Sequence, residues 1–301
     1  MLQNHHICVC ICTYKRPDLL RILLSKLEEQ ETESQFDYSI VIVDNDKSES
    51  ARETVESYAR QSKISISYFV EAEQNIALAR NKAAENARGD FIAFIDDDEY
   101  PSDTWLITLY TAFNNYKPSG GVLGPVIPYF PEGTPQWLIK SEICERPNHP
   151  TGTILNWDMT RTGNVLLLGR IFGEKRLLFN PKRGRTGGED KELFKALMEQ
   201  GYSFIWCREA EVYETIYPER SKLSYYLHLN LMNGGVTGKE DGVYSVYFIR
   251  SLVAILFYAA LLSVTIFNGK HYTYKYLIGI VYHFARVMGS LGIVFEKERR
   301  D

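Results

Sequence analysis

The sequence predicts an α/β fold with a mostly parallel central sheet, followed by a C-terminal hydrophobic helical hairpin. Three observations carry that expectation. Apolar runs of strand length alternate with segments of helical spacing up to Glu99. Polar clusters follow successive strands, where open α/β sheets bind ligands. From about Tyr244 onward polar residues become scarce. The division is set at residue 240: 1–240 as the α/β domain and 241–301 as a membrane-associating helical segment.

Taken in order, Ile7 to Thr13 reads as a first strand, broken by Arg16-Pro17-Asp18. Leu20, Leu23, Leu24 and Leu27 recur at helical spacing, with Asp18 as the expected N-cap. Tyr38 to Val43 is a second strand ending at Asp44-Asn45-Asp46, and Ser50 to Gln61 a polar helix. Ile64 to Val70 alternates as a third strand. Asn75 to Ala87 is a helix with Ile76, Ala79, Ala83 and Ala87 on one side. Phe91 to Ile95 is a buried strand running into Asp96-Asp97-Asp98-Glu99, and Pro101 stops it.

Beyond that point the alternation loosens. Gly120 to Ile127 is expected as one strand, Pro128 to Thr153 as irregular surface and Asn164 to Leu168 as a strand. Pro181 to Gly188 is a basic, glycine-rich loop leading into Glu189-Asp190 and a helix bearing Leu193, Leu197 and Met198. Phe204 to Val212 is read as a late strand, and His228 as structural.

Composition narrows the function classes. The chain has 301 residues, 24% charged and 45% hydrophobic, enough for a sizeable core. A net charge of −4 gives a nucleic-acid partner no electrostatic support. Met1 to His6 lacks the basic-then-apolar layout of a signal peptide. Cys8, Cys10 and Cys12 share one face of a strand and read as small buried hydrophobes in a reducing compartment.

At the C-terminus, Val246 to Phe267 is almost wholly apolar and close to the roughly 20 residues that span hydrocarbon. Tyr276 to Phe295 is a second apolar stretch, interrupted by His283, Arg286 and three glycines. Three readings compete: buried helices of a soluble core, a transmembrane hairpin, and a hairpin lying in one leaflet. Arg286 in mid-span would cost about 2.5–3.5 kcal/mol on insertion scales. Lys270, His271 and Lys275 between the stretches, with Lys297, Arg299 and Arg300 after them, favour attachment to the cytoplasmic face of the inner membrane.

The acid run Asp96 to Glu99 read alone is either a solvated loop or a site. Thr13 to Asp18, Asp44 to Asp46 and Asp96 to Glu99 should converge on one sheet edge, because strand ends gather there. Carboxylates so grouped call for a divalent cation of the magnesium type, which shares its coordination with substrate phosphates. Arg16 and Arg80 would add positive charge for such phosphates.

Cys10-Ile11-Cys12-Thr13-Tyr14-Lys15-Arg16-Pro17, Val41-Ile42-Val43-Asp44-Asn45, Gln74-Asn75-Ile76-Ala77-Leu78-Ala79-Arg80-Asn81 and Asp96-Asp97-Asp98, completed by Gly187-Gly188-Glu189-Asp190, resemble glycosyltransferase family 2 over roughly residues 7–235. Arg185-Thr186-Gly187-Gly188-Glu189-Asp190, Val212-Tyr213-Glu214 and Pro218-Glu219-Arg220 resemble its exopolysaccharide branch, of the succinoglycan-assembly type. The resemblance implies a GT-A nucleotide-sugar-binding fold and an inverting, metal-dependent transferase. Its donor would be a nucleotide sugar, by preference a UDP-sugar. Its acceptor would be a lipid-linked, polyprenyl-diphosphate-type saccharide at the membrane surface.

By the same resemblance, Thr13, Tyr14 and Arg16 line the nucleobase pocket, Asp44 contacts uracil or ribose, and Arg80 contacts the nucleotide. Asp96 and Asp98 form the Asp-x-Asp pair: Asp98 ligates Mg2+ or Mn2+, and Asp96 serves the ribose or the metal. Asp190 is the general base, and Glu214 and Arg220 lie on the metal or diphosphate side. Asp97 belongs to the same donor-binding run, yet Asp97 and Glu99 are expected to tolerate substitution best. Trp137, Trp157 and Tyr129 are read as packing residues or as acceptor-binding aromatics. Two rivals stand beside the transferase: a nucleotidyltransferase acting on sugar phosphates, and a non-catalytic membrane scaffold with a vestigial nucleotide site. The glycine-free loop Thr13 to Pro17 weighs against the first, and intact Asp96, Asp98 and Asp190 against the second.

Overall fold

The computed structural model describes residues 5–173, 178–184, 187–265 and 269–293. Arg185 and Thr186 of the glycine-rich loop, and the basic residues Lys297, Arg299 and Arg300, lie outside them. The chain divides into two compact units. One comprises Met1–Ile127 and Arg146–Glu214, the other Pro128–Glu145 and Thr215–Asp301.

The first unit opens with strand β1 (His5–Thr13), helix α1 (Pro17–Glu28), β2 (Phe36–Asp44), α2 (Arg52–Ala59), β3 (Ser65–Val70), α3 (Ile76–Asn86) and β4 (Phe91–Asp96). It continues with β5 (Glu99–Pro101), α4 (Trp105–Tyr116), β6 (Gly121–Leu123) and β7 (Val126–Tyr129), along which the chain leaves the unit. In the second unit the chain forms α5 (Gln136–Ser141). Back in the first come β8 (Asn164–Leu168), α6 (Arg170–Gly173), α7 (Glu189–Glu199), β9 (Phe204–Trp206) and β10 (Val212–Thr215). The second unit closes with α8 (Leu223–Asp241), α9 (Val246–Thr265) and α10 (Lys270–Ser290).

The main sheet has the order β3-β2-β1-β4-β8-β6-β9. Its first four strands are parallel, and β8 runs antiparallel to both β4 and β6. Alternation along β1 feeds two cores. Ile7, Val9 and Ile11 pack with α1, α2 and α4, while Cys8 and Cys10 pack with α3, α6 and α7. All five cysteines are free thiols. The register pairs Thr13 with Asp44 and Cys12 with Asp96, so the ends of β1, β2 and β4 lie level. Strand order reverses around β1, the topological switch point at which open α/β sheets characteristically bind ligands.

Several local expectations change. Asp18 is not the N-cap of α1: Pro17 takes the first helical position, where its missing N–H costs nothing, and Arg16 precedes it. The expected strand over Gly120 to Ile127 is split into β6 and β7 at Gly124-Pro125, and the one over Phe204 to Val212 into β9 and β10 by the Cys207–Ala210 turn. Helix α4 was hidden by Thr, Ile and Tyr, residues that suit strands as well.

In the second unit α10 packs closely on α8 through small residues. A β-carbon at Gly234 would meet the Tyr282 carbonyl, one at Gly238 the Arg286 carbonyl, and one at Gly289 the Gly235 carbonyl. Arg286 donates from Nε and Nη2 to Oδ2 of Asp241 at 2.7 and 2.6 Å, and lies over the Tyr247 ring. The second compact unit includes α8, the partner of α10, together with the earlier segment Pro128–Glu145. Among the described residues α9 is the one helix long and apolar enough to cross a membrane.

This packing makes Gly238 sensitive. Gly238→Val should force α8 and α10 apart and lower stability by about 1–3 kcal/mol, as overpacking does. Gly173→Ala, where an added β-carbon meets nothing, should stay within about 0.5 kcal/mol. Thermal unfolding of both variants in detergent checks the contrast.

Candidate active site

The polar clusters converge at the level strand ends. Thr13 donates from Oγ1 to Oδ2 of Asp97 at 2.7 Å. Arg16 donates to Asp97 at 3.1 Å and to Asp98 at 3.0 Å. Tyr14 is partly buried next to Lys15, whose ammonium lies over its ring. Asp44 is fully buried. Its carboxylate accepts from the backbone N–H groups of Asp46 and Ala51 and from the Tyr68 hydroxyl, which fixes the turn after β2.

Arg80 comes from α3 and is buried. Its Nη1 donates to Oε1 of Glu189 at 2.5 Å and its Nη2 to Oδ1 of Asp96 at 3.2 Å. Burial works against its charge, but the carboxylates of Asp96 and Glu189 outweigh it and raise its pKa. Burial likewise raises the Glu189 carboxyl, against the pull of Arg80. The other Glu189 oxygen is buried without a hydrogen-bond partner among the described residues.

Two asparagines fix the approach to α7. Asn75 caps α3 by accepting from the N–H groups of Ala77 and Leu78, and donates to the Pro181 carbonyl at 2.9 Å. Asn81 exchanges two bonds with the Phe179 backbone, at 2.8 and 2.7 Å. Gly187 and Gly188 both have φ near +90°, a conformation glycine adopts without strain. The chain then enters α7 with Glu189 facing Arg80 and Asp190 on the rim of a cleft.

That cleft has a volume of about 340 Å3 and is lined by Arg80, Asp96, Arg146, Arg161 and Asp190, among others. Asp96 keeps 41% of its side chain exposed toward solvent. Gly163 packs close against two of the acids. A β-carbon there would lie 2.7 Å from Oε1 of Glu99 and 3.2 Å from Oδ2 of Asp96. Asn164 is fully buried and ties the start of β8 to the carbonyls of Pro125 and Ala210 and to the Trp105 indole.

Burial weighs against the expected tolerance of Asp97 and Glu99. Burial pushes the Asp97 carboxyl up to about 6, and both of its oxygens are engaged by Thr13 and Arg16. Glu99 is 3% exposed and accepts from the Asp96 backbone N–H. Burial holds its carboxyl well above the usual range. These two acids support the site from beneath rather than face water.

Glu214 is bound by Arg146, which also lies 3.9 Å from Glu99. Arg220 sits in the short 3-10 helix Pro218–Ser221 of the second unit. Trp137 packs edge-on against Tyr226 and Tyr274 within that unit, and Tyr129 belongs to the same unit. Trp157 is exposed in a 3-10 turn (Trp157–Met159), with Lys195 over its ring. Sequence reasoning missed Arg146 and Arg161, which stand in or after irregular chain with no periodic signal, and the close approach at Gly163.

A divalent cation suits this donor set in one particular mode. Among the described residues no three carboxylate, histidine or cysteine groups cluster as a protein cage. Magnesium-type ions rarely use one: they take one or two carboxylates and complete their shell with water and substrate phosphate. Asp96, open on its cleft side, meets that requirement, while Asp98 is 11% exposed and paired with Arg16.

The model for the family described as glycosyl transferase family 2 matches residues 8–176, more than half of the chain. The succinoglycan biosynthesis protein ExoM of Rhizobium meliloti (strain 1021) is 28% identical over 302 residues, covering 97% of this chain and 94% of that protein. Among solved structures, the mannosyltransferase PcManGT from Pyrobaculum calidifontis, in complex with GDP-Man and Mn2+, has a TM-score of 0.60 at 14% identity, covering 96% of this chain and 88% of that one. S. aureus TarS 1-349 in complex with UDP-GlcNAc has a TM-score of 0.56 at 15% identity, covering 95% and 92%. The chain spans 55% of the longer S. aureus TarS structure. These structural likenesses establish the shared α/β fold.

The support role of Asp97 is measurable. Asp97→Ala should lower stability by about 1–3 kcal/mol, because Thr13 and Arg16 lose their acceptor. Urea unfolding checks it against Glu132→Ala, an exposed site expected to stay within about 0.5 kcal/mol. A variant as stable as the wild type would return Asp97 to the dispensable class.

Proposed function

The chain belongs to glycosyl transferase family 2, and on that premise we propose that it is an inverting, metal-dependent enzyme of cell-surface polysaccharide synthesis. It transfers a sugar from a nucleotide sugar, by preference a UDP-sugar, to a membrane-borne saccharide on a polyprenyl-diphosphate-type carrier. The observation that carries the reading is the cleft in which Asp96 and Asp190 meet, with Arg80 joined to the former.

The residues divide the work. Thr13, Tyr14 and the turn held by Asp44 form the nucleoside end of the site. Asp98 and Asp96 would hold Mg2+ or Mn2+, which supplies charge neutralisation for the leaving diphosphate. Arg16 and Arg80 add fixed positive charge on the donor side. Asp190 accepts the proton of the acceptor hydroxyl as the new C–O bond forms. With one carboxylate in that role and no protein nucleophile, the reaction is a single displacement with inversion at the anomeric carbon. The names of the relatives agree in kind: one acts in succinoglycan biosynthesis, one is a mannosyltransferase bound to GDP-Man and Mn2+, and one binds UDP-GlcNAc.

Membrane attachment rests on α9. Its side chains are almost wholly apolar, with Arg250 near its start, yet only Ser251 of the helix is buried. At about 1.5 Å per residue its length matches a hydrocarbon core of roughly 30 Å. The site is assigned to the cytoplasmic face, where nucleotide sugars are made.

Asp190→Asn should lower transfer by about 10²–10⁴-fold, the usual contribution of a positioned general base, with UDP affinity in Mn2+ retained. Nucleotide release over a panel of nucleotide sugars, with calorimetric titration of UDP, checks both halves. Wild-type turnover in this variant would remove Asp190 from the base position. Deleting residues 242–301 should move the protein from the membrane fraction to the soluble one in detergent-free fractionation. An unchanged distribution refutes the anchor.

A further inference from the structure

Three guanidinium groups line the cleft, and two of them are matched by acids. Arg80 is held by Asp96 and Glu189, and Arg146 by Glu214 and Glu99. Arg161 makes neither a hydrogen bond nor an ion pair with any described residue. It is half-buried, and arginine does not lose its proton in a protein. Thr162, beside it, also lines the cleft. It is 1% exposed, and its hydroxyl has no hydrogen-bond partner among the described residues.

We infer that Arg161 and Thr162 form an oxyanion subsite for a carboxylate or phosphate group carried by the acceptor. A guanidinium offers parallel N–H donors in a rigid plane, which two oxygens of one anion accept together. The charge setting agrees. Burial and then the like charge of Arg146 lower the Arg161 pKa, while Glu99, Asp190 and Glu214 oppose this from beyond ion-pair range. An anion bound here would relieve both penalties.

The acceptor, not the donor, is the source of that anion. Arg161 lines the cleft together with Asp190 and Lys191, whereas Asp98 and Arg16 are not among the cleft's lining residues. This step rests on the assignment of Asp190 to the acceptor hydroxyl and of Asp98 and Arg16 to the donor. A neutral acceptor would leave the third guanidinium unmatched, so the subsite also selects among acceptors.

The test uses the full-length chain in detergent micelles, saturated with UDP and Mn2+. It is titrated with methyl β-D-glucuronide, with glucose 6-phosphate and with neutral methyl β-D-glucoside. One anionic probe should bind at least about tenfold more tightly than the neutral one, about 1.4 kcal/mol. Which anion wins tells a sugar carboxylate from a phosphate ester. Arg161→Gln should bring the ratio to near one with UDP affinity retained. Arg161→Lys should keep part of it, since charge remains and the fork is lost. The lysine variant also keeps the test readable should the glutamine variant fold poorly. No preference in the wild type, or a preference that survives Arg161→Gln, overturns the proposal. So does a fall in UDP affinity with the probe ratio unchanged, which would place Arg161 on the donor. A wild type that binds no UDP yet prefers the anion strikes at the transferase reading and leaves the subsite standing.

Discussion

The buried guanidinium of Arg80 is the contact on which the arrangement of the cleft depends. Asp44, Asp96, Asp97, Asp98, Glu99, Glu189 and Asp190 gather near one sheet edge, and like charges so close resist assembly. Arg80 sits between the end of β4 and the first residue of α7 and bonds to both. It reaches that point because α3 packs on β1 and β2 through alanines, which allow a close approach of helix to sheet. Asn75 and Asn81 on the same helix hold the segment before α7. One helix therefore neutralises the acids of the sheet and places the residue assigned as base. Truncating Arg80 would leave two acids without their counter-ion, so loss of activity in such a variant would not by itself mark a substrate contact.

The same economy appears at Gly187-Gly188-Glu189-Asp190. A helix start rich in acids is favoured by the helix dipole whatever its function, and α7 carries Glu189, Asp190 and Glu192 in its first turn. The structural and functional readings of this stretch are not alternatives. Glu189 turns inward to Arg80, while Asp190 lines the cleft. The two glycines set that division, because consecutive positive φ values turn the chain just before the helix begins. Gly163 plays the matching part across the site, giving Asp96 and Glu99 the space that a side chain would fill.

Much of this was legible in the sequence, for a physical reason. Parallel strands buried on both faces must read as continuous apolar runs, and β1, β2 and β4 do. Once those runs are taken as parallel, the convergence of Thr13, Asp44 and Asp96 follows from topology alone. Features that depend on tertiary contact were not legible. Glu99 and Asp97 look like any exposed acids in a charge run, and only the fold places them beneath Asp96 and against Thr13. Arg146 and Arg161 have no neighbours in sequence that mark them, and their pairing, or lack of it, is a property of chain brought together from distant segments. Strand breaks at Gly124-Pro125 and after Trp206 fall inside apolar runs, where periodicity is silent.

The C-terminal segment shows the same limit in hydropathy. Two apolar stretches of similar length suggested two equivalent arms of a hairpin, with Arg286 as an obstacle to insertion. Packing separates them. Helix α10 is committed to α8 along a glycine-lined contact, and Arg286 is discharged against Asp241 within that pair. Its charge therefore bears on the α8–α10 contact rather than on lipid. Helix α9 touches α10 along one side, through Tyr258 against His283 and Gly279 and Ser251 against His283, and exposes Ile249, Val253, Leu256 and Phe257 elsewhere. A helix hydrophobic all round is stable when protein or lipid covers it, and protein covers little of α9. Lipid is the cover that its composition fits. Were the acceptor lipid-linked, as proposed, an enzyme so held would share a surface with it, and the confinement would raise their effective concentration without any added contact.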